Sequence, residues 1–126
     1  MKLLLLASGG GAIGAGTRYL IGRAFMHAGF IEFPWATLTI NVSGSFLMGV
    51  LIEILALRFN ASNELRTFLA TGVLGGYTTF SSFSLEFATL YERGDMTGAF
   101  GYVVASVVFG LFAVFAGLWI TRGVFA

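Results

Sequence analysis

An all-α membrane protein of four transmembrane helices, the third broken near its middle, is the fold class that the sequence predicts. Three observations predict it. Hydrophobic residues make up 57% of the 126 positions and charged residues 10%, against about 25% charged in a soluble domain. Apolar stretches of membrane-crossing length recur four times with short links between them. The third stretch carries paired glycines and a cluster of hydroxyl residues near its middle, which a plain lipid-facing helix does not accommodate.

Composition also excludes. There is no cysteine, hence no disulfide and no thiolate chemistry. The net charge is +1 with no basic run, which argues against a nucleic-acid partner. One proline and no polar tract leave no interdomain linker, so residues 1–126 read as a single four-span transmembrane domain. No Ser-His-Asp set, HExxH motif, phosphate loop or buried acidic pair is present, and His27 is the sole histidine. The chain is therefore expected not to be an enzyme.

A helix needs about 20 apolar residues to cross a bilayer. Residues 3–25, 35–57, 65–90 and 97–120 meet that length. Met1-Lys2 and the leucine run after it resemble a signal peptide. The run is short for one and the apolar character continues to Met26, so an uncleaved first span is expected. Four spans put both termini on one side. That side carries Lys2, Arg58, Arg66 and Arg122, and the other carries Arg23 and Arg93. Orientation follows such counts, and four against two is a weak bias. It is compatible with insertion in both directions and with an antiparallel homodimer. Small residues four apart (Gly10/Gly14, Ser45/Gly49, Gly72/Gly76) allow close helix approach without saying to what.

Polar residues inside the spans come next. Arg18 lies well within the first. Two readings stand: a charge facing a cavity, where it raises local anion concentration, or a side chain snorkelling to the nearer interface. Thr37, Asn41 and Ser45 share one face of the second span. Asn41 is either an interhelical hydrogen-bonding group or a pair of amide donors for a desolvated anion. In the third span, Gly75-Gly76 is followed by Thr78, Thr79, Ser81 and Ser82, with Phe80 and Phe83 three apart. Glycine weakens a helix, and serine and threonine offer its backbone other partners. A broken helix in hydrocarbon survives only inside protein or beside a wet cavity, and its half-helix ends can hold ions. The break is expected to bind a cation, and the half-helix after it to present hydroxyls and positive phenyl edges to an anion. Glu86, near the end of that span, is expected to be solvated at the interface. Tyr102, Ser106 and Gly110 lie at i, i+4, i+8 on the fourth span; the two hydroxyls are either an aromatic-belt tyrosine and a backbone-bonded serine or an extension of the polar line of the second.

Three strings carry a family resemblance: Gly14-Ala15-Gly16-Thr17-Arg18-Tyr19, then Thr37-Leu38-Thr39-Ile40-Asn41-Val42-Ser43-Gly44-Ser45-Phe46, and Gly72-Val73-Leu74-Gly75-Gly76-Tyr77-Thr78-Thr79-Phe80-Ser81-Ser82-Phe83-Ser84. With them the chain resembles the CrcB/Fluc fluoride channels along essentially its whole length. The resemblance implies an antiparallel, dual-topology homodimer in the lipid bilayer of the bacterial inner membrane, passively exporting fluoride through two pores. It implies a structural sodium ion at the dimer centre, held by backbone carbonyls at Gly75 and Thr78. It implies that Asn41, Phe80, Ser81 and Phe83 line the pore, that Thr37, Tyr102 and Ser106 form a polar track beside them, and that Arg18 stands in the vestibule. Gly110 takes a place where some relatives carry a further hydroxyl.

Two other functions remain at this point. A small dual-topology proton-coupled drug exporter has similar size and span count, but it needs a membrane-embedded carboxylate where this chain has Arg18. A non-transporting assembly subunit would show small-residue packing without polar stripes on three spans.

Overall fold

The computed structural model of the protein describes residues 1–59 and 61–125, with Arg58 and Phe59 by their backbone alone. The expectation that Arg58 marks one membrane face lies outside the described side chains. Among the described residues every regular element is helical. Helix α1 is Lys2–His27 and α2 is Trp35–Ile54, which runs on as a π-helical turn, Leu55–Phe59. The third predicted span is delivered in pieces: α3 (Asn63–Arg66), a π-helical stretch Thr67–Leu74, α4 (Gly75–Tyr77), an extended pair at Thr78 and Thr79, and α5 (Phe80–Glu92). Helix α6, Met96–Phe125, completes the chain.

The links follow from local chemistry. Helix α1 ends in a Schellman motif: Gly29 takes φ +93°, the Phe30 N–H reaches the Phe25 carbonyl and the Gly29 N–H that of Met26. The rings of Phe25 and Phe30 lie 5.5 Å apart across it. Helix α5 ends the same way at Gly94, φ +86°, and the Asp95 carboxylate then accepts the Gly98 N–H at 2.8 Å to cap α6.

Glycines decide which helices touch. A Cβ on Gly10 would stand 2.9 Å from Gly72 Cα, and one on Gly76 would stand 2.6 Å from the Gly11 carbonyl oxygen. Gly14 meets the backbone of Val73 and Tyr77 equally closely. Helix α1 therefore lies backbone to backbone along Thr67–Leu74 and α4. Gly49 and Gly117 do the same for α2 against α6, and an Arg122–Glu53 ion pair joins the far ends of those two helices. The small-residue pairs thus pack within one chain.

Two apolar clusters flank the break. Ile40, Leu74 and Tyr77 form one; Leu90, Ala99 and Tyr102 form the other, with Phe33, Phe83 and Phe87 against it. Two stretches, Trp35–Leu57 and Met96–Phe125, are long and apolar enough to cross a bilayer. Large apolar side chains such as Leu20, Phe112 and Trp119 point outward.

Candidate functional site

The break begins where α4 stops. Thr78 (φ −82°, ψ 160°) and Thr79 (φ −153°, ψ 120°) are extended, so the carbonyls before them lose their helical partners. The chain then starts again with Thr79 as N-cap, its Oγ1 accepting the Ser82 N–H at 3.2 Å.

Asn41 holds this extended pair from the side. Its Nδ2 donates to the Thr79 carbonyl at 2.9 Å, and its Oδ1 accepts the Thr79 N–H at 2.8 Å. The carboxamide does for Thr79 what a neighbouring strand does in a sheet. In an apolar setting each of those backbone groups, left unmet, costs several kcal/mol. One Nδ2–H of Asn41 remains uncommitted, since a carboxamide nitrogen carries two.

Two backbone oxygens are freed by the same arrangement. In an unbroken helix the Gly75 carbonyl would accept from Thr79 N–H, which here goes to Asn41. The Thr78 carbonyl would accept from Ser82 N–H, which here goes to Thr79 Oγ1. Among the described residues no hydrogen bond reaches either oxygen. The Gly76 carbonyl, also released, accepts from Arg18 Nε at 3.2 Å. Arg18 is half-buried and bonded inward to the break.

Two cavities lie beside the break, and Thr79 lines both. A groove of about 520 Å³ is bounded by Asn41, Ser45, Phe80, Phe83, Ser106 and Gly110. The Phe80 and Phe83 rings stand 5.6 Å apart. Phe83 packs on Tyr102, 5.1 Å between centroids, while Phe80 is 78% exposed. The Ser106 hydroxyl is buried without a partner among the described residues. A larger space of about 720 Å³ is lined by Arg18, Arg23, Thr37, Glu86 and Arg93 among others.

The predicted polar residues are divided between these spaces. Ser106 and Asn41 line the smaller groove and Thr37 the larger. Tyr102 is fully buried and lines neither. Ser81 also lines neither, and its Oγ lies 3.4 Å from Thr79 Oγ1. Thr37 Oγ1 and the Tyr102 hydroxyl both donate to the Glu86 carboxylate, at 3.0 and 3.3 Å. Glu86, expected in solvent at the span end, is instead half-buried and shared by hydroxyls of α2 and α6. The sequence offers no signal for that meeting, because Thr37 and Glu86 are 49 residues apart. Thr79 did carry one: a threonine three residues before Ser82 at a helix start is a cap pattern.

Chemically, the break sets free carbonyl oxygens, suited to a hard cation, close in sequence to free N–H and O–H donors and phenyl rings, suited to a small anion. Residues 5–118 match the family described as "CrcB-like protein, Camphor Resistance (CrcB)". A protein of Chelativorans sp. (strain BNC1), named fluoride-specific ion channel FluC, is 53% identical over 98% of this chain and 99% of its own length. Proteins of the same name from Mesorhizobium japonicum and Agrobacterium fabrum are 53% and 52% identical, covering 94% and 97% of this chain and 95% and 98% of their own lengths.

Proposed function

The chain belongs to the CrcB-like family, and from that premise we propose that it is a fluoride-selective ion channel, not an enzyme, letting fluoride leave the cytoplasm passively. The observation that carries this reading is Asn41 bridging the break beside the smaller groove. Fluoride is small, hard and tightly hydrated. A path for it must replace water with donors while binding loosely enough to release the ion. The remaining Asn41 N–H, the unpartnered Ser106 hydroxyl and the edges of Phe80 and Phe83 are such donors within one groove.

The other sequence-derived residues take roles around them. Arg18 and the larger cavity form the vestibule, with Arg18 concentrating anions. Thr37, Tyr102 and Ser81 stand behind the path: Thr37 and Tyr102 hold the Glu86 carboxylate, and Ser81 lies beside Thr79. In acidic surroundings fluoride enters cells as neutral HF and dissociates inside, so a negative membrane potential drives the anion out without another energy source.

The assembly we propose is an antiparallel, dual-topology homodimer of four-span protomers in the bacterial inner membrane, each protomer one domain over residues 1–126. Gly75 and Phe80 are exposed at the break in the single chain, which favours a second copy there. A two-fold axis through this region would bring two Gly75 and two Thr78 carbonyls together. Both oxygens lack hydrogen bonds, so the residues present fit a structural sodium ion held by unwound backbone. When bound, that ion would supply fixed positive charge and a tie between the two breaks.

Growth on fluoride tests the reading. Expression in a bacterium deprived of its own fluoride export restores growth in millimolar fluoride at acidic pH if the reading holds. Unchanged sensitivity with the protein present in the membrane would overturn it.

A further inference from the structure

We infer that Ser45 is a fluoride-contacting residue of the smaller groove, supplying a hydroxyl at the level of α6 where Gly110 brings no side chain. The inference rests on the channel reading and adds to its donor set. Ser45 lies one helical turn beyond Asn41 on α2 and lines the same groove as Asn41, Ser106 and Gly110.

Its hydroxyl is not spent on the backbone, as several others in the chain are. Ser8, Thr17, Thr78, Ser84 and Thr89 each donate to the carbonyl four residues back, which is the usual resting place of a helical hydroxyl. Ser45 Oγ makes no hydrogen bond among the described residues. Ser106 Oγ, on the opposing helix, is buried and equally unpartnered. A buried polar group left without a partner calls for an explanation, and a transient ligand is one. Two unpartnered hydroxyls lining one groove, the Ser106 one buried and the Ser45 one on a half-buried residue, with the uncommitted Asn41 N–H a turn away, make a set of donors without acceptors among the described residues.

Gly110 keeps the space open. A Cβ there would meet only Ser45 Oγ, at 3.8 Å, an ordinary contact. A side chain therefore fits at this position and would stand directly in front of the Ser45 hydroxyl. Close helix packing does not need this glycine, in contrast to Gly49 and Gly117, where an added Cβ would strike backbone atoms. The bland alternative makes Ser45 merely a small residue for helix approach. Alanine would serve that purpose equally, so the two roles separate by substitution.

The test is fluoride efflux from liposomes, with chain assembly followed by size-exclusion chromatography. Ser45→Ala is expected to lower fluoride flux roughly 5-fold or more, the loss of one hydrogen bond, while the assembly elutes unchanged. Adding Gly110→Ser to Ser45→Ala returns a hydroxyl to the same space and restores most of the flux; adding Gly110→Ala does not. Ser45→Cys, nearly the same shape but a weak donor, repeats the loss and serves if the alanine variant assembles poorly. Wild-type flux in Ser45→Ala or Ser45→Cys, with the parent conducting, overturns the inference and leaves the channel reading intact. A parent that does not conduct fluoride overturns the channel reading itself.

Discussion

Asn41 grips Thr79 by both of its backbone groups, donating to the carbonyl at 2.9 Å and accepting the N–H at 2.8 Å. The break in the third span is therefore fastened to the second span by one side chain. That side chain also keeps one N–H free at the edge of the smaller groove.

Asn41→Asp is expected to abolish fluoride flux. Aspartate still accepts the Thr79 N–H but loses the donor to its carbonyl, placing a carboxylate oxygen against a carbonyl oxygen and a negative charge in an anion path. Asn41→Ala leaves both Thr79 groups unmet, at about 1–3 kcal/mol each, and should lower the melting temperature in detergent. Undiminished fluoride release from Asn41→Asp would separate this residue from the path.

The two phenylalanines should differ. Phe80→Ile, at an exposed ring, loses only the pair with Phe83 and is expected to slow flux with the smaller effect on protomer stability. Phe83→Ile also loses its contacts with Phe80 and Tyr102, worth roughly 0.5–1.5 kcal/mol per aromatic pair. Thermal melts and efflux on both variants check this, and normal currents in both would return the rings to packing.

Glu86 and Tyr102 form a coupled pair. Glu86→Ala leaves the Tyr102 hydroxyl, on a fully buried side chain, without its acceptor, and should destabilise by about 1–3 kcal/mol. Removing that hydroxyl as well, in Glu86→Ala/Tyr102→Phe, should recover part of the loss. Additive losses in the double mutant would show that the 3.3 Å contact carries no coupling.

Backbone contacts between α1 and the third span predict which glycines tolerate change. Gly14→Ala forces a Cβ into the backbone of Val73 and Tyr77 and should cost roughly 1–3 kcal/mol or more by overpacking. Gly123→Ala meets nothing within 4 Å and should be close to neutral. Comparable melting temperatures for the two would contradict the packing described.

If sodium ties two breaks together through Gly75 and Thr78, exchanging it for a large organic cation on both sides should lower flux and loosen the dimer. Elution and flux insensitive to that exchange would remove the ion from the assembly.

What could be read in the sequence was what is local. Gly75-Gly76 and the hydroxyls after it announce a break within a dozen residues, and the break falls where they stand. The i, i+4 stripe placed Asn41 and Ser45 on one face, and both line one groove. What escaped was long-range. Nothing in the neighbourhood of Asn41 says that its amide is spent on a residue 38 positions away. The hydroxyls of Thr37 and Tyr102 were expected to line a track, yet both point to Glu86, a residue assigned to solvent because it lies near a span end. Arg18 had two readings, a cavity-facing charge or a snorkelling side chain, and its bond to the Gly76 carbonyl, 58 positions away, belonged to neither. The π-helical stretch Thr67–Leu74 left no trace in the pattern, because its apolar residues would suit an α-helix equally.

Fluoride efflux from liposomes carrying the purified protein is the decisive measurement. It is followed with a fluoride electrode after a potassium ionophore is added, beside chloride-loaded liposomes, with sodium on both sides. A path built from one amide N–H, hydroxyls and phenyl edges predicts rapid fluoride release and little chloride release. Well-folded protein that releases no fluoride, or releases chloride as readily, would contradict it.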